Sequence, residues 1–432
     1  MSATDQISEP ADHAAYRAQV RAWYDEHATP RSPADPWATT VHADPAEAAA
    51  HFEASRRWVG KLFAAGYSGI AWPAEYGGGG GESWMTRIER EIAADYEEFT
   101  GFPGATIAML GPTLLRHGTE EQKKEYIPKL LSAELTFCQL FSEPGAGSDL
   151  ASLATTAVLD GDEWVINGEK WFTSAGRVAD ILFVMCTNGM FVVPRDTPGV
   201  EIQPEPRTHN HIIYNDVRIP ADHLLGPEDG AKVLAQRRLG GGRIHHAMRT
   251  IANCTLAFDM MCERALSRES HGKIIAEHQM VQEKIADSYA QIRMLRLFVL
   301  ETAWKIDNSS TQETRTDIAA VKFSMAKVLR EVSFNALHIL GSLGTTNLTP
   351  IQAMYASAPT MGIADGVDEV HKATVARNVL KSYAPHDGYW PTEYYPEKRR
   401  KAREKFEPMF QADPELRDMA DGMARYMASR AH

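Results

Sequence analysis

Apolar positions along the first third of the chain recur at helical spacing. Phe52, Trp58, Val59 and Leu62 fall on one face of a segment spanning residues 46–65, which predicts an amphipathic helix. The run Trp72-Pro73-Ala74-Glu75-Tyr76-Gly77-Gly78-Gly79-Gly80-Gly81 breaks that period and reads as a connector. No strand–Gly–Lys–Ser/Thr–helix order follows it, so it is not a phosphate-binding P-loop. Thr119-Glu120-Glu121-Gln122 has the form of a capping box, with Thr119 as N-cap, opening a helix to about Ala133. From Leu135 to about Pro220 the period changes to two. Glu163-Trp164-Val165-Ile166, Ile181-Leu182-Phe183-Val184-Met185, Met190-Phe191-Val192-Val193 and Ile212-Ile213-Tyr214 are short β-rich runs separated by Gly, Asp, Asn and Pro. They predict a small barrel or sandwich. The helical period returns at Lys232, with long segments over 242–268, 279–307, 311–340 and 370–383, and four such helices suggest an antiparallel bundle. The expected organisation is mainly α with a β middle domain: a helical domain over 1–134, a β domain over 135–231, a helical bundle over 232–384, and an extension over 385–432. The basic run Lys398-Arg399-Arg400-Lys401 in that extension reads as a solvated helix face.

Composition narrows the function classes. A chain of 432 residues has room for two or three domains, and a net charge of −12 argues against a nucleic-acid partner. Cys138, Cys186, Cys254 and Cys262 have no metal-ligand spacing and are too few for a disulfide scaffold, so free thiols in a reducing compartment are expected. Met1-Ser2-Ala3-Thr4-Asp5 lacks the basic and apolar regions of a secretory signal. No apolar run approaches the ~18 residues of a membrane span. The expected location is the cytoplasm.

The chemistry gathers in three stretches. Cys138-Gln139-Leu140-Phe141-Ser142-Glu143-Pro144-Gly145-Ala146-Gly147-Ser148-Asp149 puts small residues after a proline, where backbone N–H groups can approach a ligand, and a hydroxyl on each side. Asn167-Gly168-Glu169-Lys170-Trp171-Phe172-Thr173-Ser174 reads as a tight turn entering an aromatic strand. Ile363-Ala364-Asp365-Gly366-Val367-Asp368-Glu369-Val370-His371 sets a carboxylate before a glycine and then starts a helix. In this order and spacing the chain resembles the acyl-CoA dehydrogenase family of flavoenzymes, and most closely its members with an Ala-Asp-Gly base motif. The resemblance covers roughly Phe52 to Tyr383.

That resemblance implies an FAD cofactor, an acyl-CoA substrate, an electron-transfer flavoprotein as acceptor, and a homodimer or homotetramer. By it, Phe141 and Ser142 contact the flavin, while Gly147 and Ser148 lie near the pyrophosphate and the CoA arm. Phe172, Thr173 and Ser174 cover the ring, with Phe172 standing where the family usually has Trp. Ser267-Arg268-Glu269-Ser270-His271-Gly272-Lys273 matches the segment that reaches a partner subunit's FAD through Arg268 and His271, and Gln279 adds a contact. His338, Gly341, Ser342 and Gly344 match a Gln-x-x-Gly-Gly-x-Gly segment near the adenine, with His338 for Gln and Ser342 for Gly. Val367 and Glu369 complete the cofactor set, although Asp368 and Glu369 also read as first-turn acids favoured by the helix dipole. Ser148, Arg243, Ala364 and Gly366 are the implied substrate contacts.

The implied reaction takes the α-proton of an acyl thioester with a carboxylate while hydride passes to flavin N5. Asp365 holds the position usually occupied by Glu and is one methylene shorter. Taken alone, Asp365-Gly366 reads as a helix-capping turn; the neighbouring motifs turn it to a base. The family's other base position falls near Gly240, which carries no carboxylate, and His246 on the same segment reads first as packing or solvation. Two alternatives stay open: a flavin oxidase or monooxygenase on the same fold, of the nitroalkane-oxidising kind that also uses Asp, and a non-catalytic acyl-CoA-binding relative. A nicotinamide enzyme is disfavoured by the lack of a strand–GxGxxG–helix unit.

Overall fold

The N-terminal third folds as α1 (Ala11–His27), α2 (Pro45–Ala64), α3 (Ser83–Ala93), α4 (Gly101–His117) and α5 (Glu120–Leu131). The computed structural model describes residues 10–31, 45–98, 100–204, 209–386 and 388–430; the stretch Met1–Asp5 lies outside them. The Thr119 capping box is formed, with Thr119 Oγ1 accepting from Gln122 N at 3.2 Å and Gln122 Oε1 from Thr119 N at 3.1 Å. The glycine run after Trp72 folds back on residues 69–72 through backbone bonds such as Gly79 N to Gly69 O and Gly81 N to Ile70 O.

Two four-stranded sheets follow. β1 (Phe137–Leu140), β4 (Ile181–Met185), β5 (Met190–Pro194) and β8 (Leu224–Leu225) form one, in that order, with β1 parallel to β4. β2 (Thr156–Asp160), β3 (Glu163–Ser174), β7 (His209–Pro220) and β6 (Val200–Pro204) form the other, antiparallel throughout. The alternation within β4 and β5 explains their unbroken apolar sequence. Leu182, Val184, Phe191 and Val193 face the second sheet, meeting Trp164, Ile166, Ile212, Tyr214 and Val217. Ile181, Phe183, Met185, Met190 and Val192 face the opposite way, onto Leu110, Leu114, Ile127 and Leu130 of α4 and α5. A strand buried on both faces has no polar side to alternate with. The middle domain is therefore a sandwich whose first sheet is clamped between its partner sheet and the N-terminal helices.

Asn167-Gly168 is not the tight turn expected from sequence. β3 runs through it, and the ladder with β7 shifts register between Ile166 and Gly168. A Cβ on Gly168 would sit 2.6 Å from Thr155 Oγ1, and its φ is +143°, so glycine serves a bulge with close backbone approach.

α6 (Ala231–Ser267) begins eleven residues before the predicted start at 242 and carries Gly240, Gly241 and Gly242 inside it. It persists because it is anchored at both ends: Ala231, Leu234, Ala235 and Leu239 bury against the first sheet, and Ala247, Ile251 and Cys254 in the bundle. A short hairpin, β9 (Glu269–Ser270) and β10 (Lys273–Ile274), leads to α7 (Gln279–Asn308), and two serines link it to α8 (Thr311–Leu340). The fourth bundle helix is α9 (Ile351–Ile363), which none of the predicted segments covers. It packs on α8 through Ile351, Met354 and Ala358 despite the internal Pro359. The predicted segment over 370–383 is instead α10 (Asp368–Leu380), which follows the candidate base.

Residues 376–432 form a separate compact unit. Its α11 (Tyr395–Ala412) and α12 (Pro414–Ala428) pack together across the single residue Asp413, whose Oδ1 accepts from Glu415 N at 3.1 Å and Leu416 N at 3.2 Å. The basic run lies on α11 and is exposed, with Arg400 paired to Glu404 at 2.6 Å and to Glu397 at 3.2 Å. No helix among the described residues is long and apolar enough to cross a membrane.

Candidate active site

The Phe141–Asp149 loop is fixed from beneath by a buried ion pair. Lys170, fully buried on β3, donates from Nζ to Glu143 Oε1 at 2.6 Å and to Phe141 O at 3.2 Å. Glu143 also accepts from Ala154 N at 2.6 Å and Thr155 N at 3.0 Å. Burial would raise the Glu143 carboxyl, but the Lys170 ammonium and these amide donors outweigh it and hold it below its usual range. Burial lowers Lys170 in turn. Reciprocal backbone bonds between Glu143 and Ala146 close the turn, and Asp149 caps the next residues. Gly145, Gly147 and Ser148 are exposed on the loop's outer side, and nothing lies within 4 Å of where a Cβ on either glycine would be. Ser148 shares a cavity of about 200 Å³ with Lys232 and Ala235 from the start of α6.

Beside this loop, Trp171 N donates to Ser142 O at 2.9 Å, which brings Ser142 to the Trp171–Ser174 stretch. Phe172 is forced out of the strand by a φ of +58° at a second register shift, and its ring is 65% exposed. It stacks on Trp171, which stacks in turn on His211. Thr173 is buried, and its Oγ1 has no hydrogen-bond partner. Ser174 Oγ lies 3.2 Å from His209 Nδ1. An exposed aromatic face next to an orphaned buried hydroxyl fits a flat heterocycle with polar edges, so these residues fit a flavin.

The candidate base lies where α9 passes into α10. Asp365 has φ +56° and Gly366 φ +102°, two left-handed residues in succession. The Asp365 side chain is 12% exposed; its Oδ2 is buried without a hydrogen-bond partner, 3.6 Å from His246 Nε2 on α6. Its carbonyl oxygen accepts from Arg243 Nε at 3.0 Å and from His371 Nε2 at 3.2 Å. Behind this turn the fully buried Lys322 of α8 donates to Asp368 at 3.0 Å. Burial lowers the Lys322 ammonium, and burial followed by the Arg243 charge pushes His371 down to about 4. Ala364 closes α9 by donating from N to Thr360 O, and Val367 receives the first turn of α10. Glu369 is an exposed first-turn acid.

A third group is separate in sequence. Arg268 ends α6, and its Nη1 lies 3.9 Å from where a Cβ on Gly341 would be, so two of the implied cofactor residues adjoin. His271 and Gly272 both have positive φ, the signature of a type I′ turn joining β9 to β10. Gln279 is the exposed first residue of α7. His338 is exposed in the last turn of α8 against Phe334, Ser342 follows in a 3-10 turn, and Gly344 is buried. Sequence reasoning missed Lys170, Glu143, Lys322 and His371. No local sequence pattern marks these four, because their roles come from burial and from polar partners that the fold brings together.

Three domain models of one family match in order: acyl-CoA dehydrogenase N-terminal domain over 10–134, middle domain over 138–213 and C-terminal domain over 228–380. Acyl-CoA dehydrogenase family member 11 from Gallus gallus is 34% identical over 60% of this chain, which corresponds to only 37% of that protein. The probable acyl-CoA dehydrogenase FadE2 from Mycobacterium tuberculosis is 37% identical over 61% of this chain and 70% of its own. In fold, the chain superposes on an acyl-CoA dehydrogenase from Geobacillus kaustophilus with a TM-score of 0.71, covering 86% of this chain and 99% of that one at 24% identity.

Proposed function

Given that the chain belongs to the acyl-CoA dehydrogenase family, we propose that it is an FAD-dependent dehydrogenase that converts an acyl-CoA thioester to its 2-enoyl form, with Asp365 as the base. The observation that carries this reading is the Asp365 carboxylate oxygen, buried and without a hydrogen-bond partner at the end of a rigidly held turn. A bound FAD supplies the hydride acceptor at the β-carbon. The loop from Ser142 to Ser148 and the Phe172–Ser174 edge hold the ring and phosphates, with Thr173 Oγ1 gaining the partner it lacks within the chain. Asp365, whose side chain is only 12% exposed to water, takes the α-proton on its buried oxygen. Ala364, where the family usually carries a bulky aromatic, leaves room beside the base for a wide or substituted acyl group. Arg268, His271 and Gln279 serve the FAD of a second subunit, and an electron-transfer flavoprotein takes the electrons onward.

The short acid also supports a second reading, a flavin oxidase acting on an acidic C–H such as that of a nitroalkane. One set of measurements separates the readings. Anaerobic addition of an acyl-CoA panel to the yellow holoprotein is expected to bleach the flavin. Asp365→Asn is expected to keep FAD and acyl-CoA binding while slowing bleaching by about 10²–10⁴-fold, the usual contribution of a positioned base. Oxygen consumption faster than dye reduction supports the oxidase instead. A wild-type protein that binds acyl-CoA without bleaching is a non-catalytic relative.

A further inference from the structure

We infer that His371 is a positioning residue for the base: its buried imidazole and the Arg243 guanidinium clamp the Asp365 carbonyl from two different helices, and the clamp fixes the direction of the carboxylate. The inference rests on the reading of Asp365 as the base and deepens it. A carbonyl oxygen only accepts, so the 3.2 Å contact requires the proton on His371 Nε2, and Arg243 Nε supplies the second donor at 3.0 Å. Both lone pairs of that oxygen are thereby used. The residues so held adopt φ of +56° and +102°, and the first of these is disfavoured for an L-residue unless its surroundings enforce it.

Steric fit points the same way. A Cβ on Gly366 would lie 2.8 Å from His371 Nε2, so the ring rests directly against the face that glycine leaves bare. The ring is carried rigidly, because His371 N already bonds Val367 O in the first turn of α10. A short acid needs this more than a long one does. Asp365 has one fewer rotatable bond than Glu with which to correct its aim, so the backbone must set the oxygen's position. Misplacement by about 1 Å at a reacting atom costs on the order of 10²-fold in rate. The charged groups facing the ring are Arg243, Lys322 and Asp368, besides the Asp365 carbonyl. Burial and Arg243 together favour the neutral ring, whose single N–H is then the one that meets the Asp365 carbonyl.

The test compares His371→Leu, which removes the donor, with His371→Gln, whose amide nitrogen reaches a similar place. Both are made in the full chain loaded with FAD, and flavin bleaching is followed after rapid mixing with an acyl-CoA that reduces the wild type. His371→Leu is expected to slow bleaching by about 10–100-fold while FAD content and acyl-CoA affinity stay within about twofold, and His371→Gln to recover most of the rate. Unchanged bleaching in His371→Leu, or no recovery in His371→Gln, overturns the inference. If no acyl-CoA bleaches the wild type, the proposed activity fails, but the clamp is still decided by ¹⁵N-histidine NMR of the wild-type holoprotein. The clamp requires a proton on His371 Nε2 from about pH 5.5 to about 8. A ring whose only proton sits on Nδ1 overturns it regardless of activity.

Discussion

At the scale of the residue, the site depends on polar groups that water cannot reach. His371 shows how this is read in solution. Its ring is pushed from 6.5 down to about 4, first by burial and then by Arg243, so the folded protein holds it neutral while the unfolded chain already takes up a proton near 6.5. Its contribution to stability is therefore complete above 6.5 and is lost as pH falls from there through about 4. Glu143, held low by Lys170 and its amide donors, loses its contribution only in the more acidic range below its usual 4.5. Glu89, raised by burial beside Tyr24, runs the other way, because its charging penalises the fold as pH rises above 4.5. As pH falls from about 7 to 4.5, the denaturant midpoint of the wild type should drop relative to that of His371→Gln, in which the Glu89 effect is the same. Parallel curves for the two proteins would show that His371 is not buried neutral.

At the scale of the element, the bulge in β3 links the flavin-facing edge to the sandwich. Gly168→Ala would place a methyl 2.6 Å from Thr155 Oγ1 and 2.7 Å from Thr155 Cα, at a φ of +143°. Because one of these neighbours is backbone, the strand itself must shift. The substitution should cost about 1–3 kcal/mol by chemical denaturation and loosen FAD, since the same strand carries Lys170 and Phe172–Ser174. Full stability with normal FAD retention would mean the bulge is a tolerated irregularity. This element also shows what sequence could and could not convey. The alternation of β7 and the apolar runs of β4 and β5 were legible because burial on one or two faces writes itself into residue type. Asn167-Gly168 has the composition of a turn, and only pairing with β7 distinguishes a turn from a bulge. α9 was hidden for a similar reason: Pro359 and few charges argue against a helix, and its packing on α8 overrides them. The loops of the site were recognisable from their residues, but the clamp at Asp365 joins positions 122 apart and 6 apart, and no local pattern announces it.

At the scale of the whole molecule, the bundle leaves an apolar face on α7 that the described chain does not cover. Met294, Leu297, Leu300 and Trp304 follow one another at three- and four-residue steps and are 41–63% exposed. Isolated exposed apolar residues are ordinary, but a continuous helical stripe of this size marks an association surface. If a second copy of the chain covers this face, as the proposed function requires, Arg268, His271 and Gln279 around the hairpin that leads into α7 would serve the other subunit's FAD. Assembly and cofactor retention would be linked, since a ligand stabilises the form that binds it. Light scattering should accordingly report a dimer or larger for the holoprotein. Leu297→Asp, which sets a charge in the middle of the stripe and touches none of the proposed FAD residues, should shift it toward monomer and lower FAD content together. A Leu297→Asp protein that is monomeric yet keeps its FAD would show that each chain holds its cofactor alone. One that stays assembled would place the interface on another face.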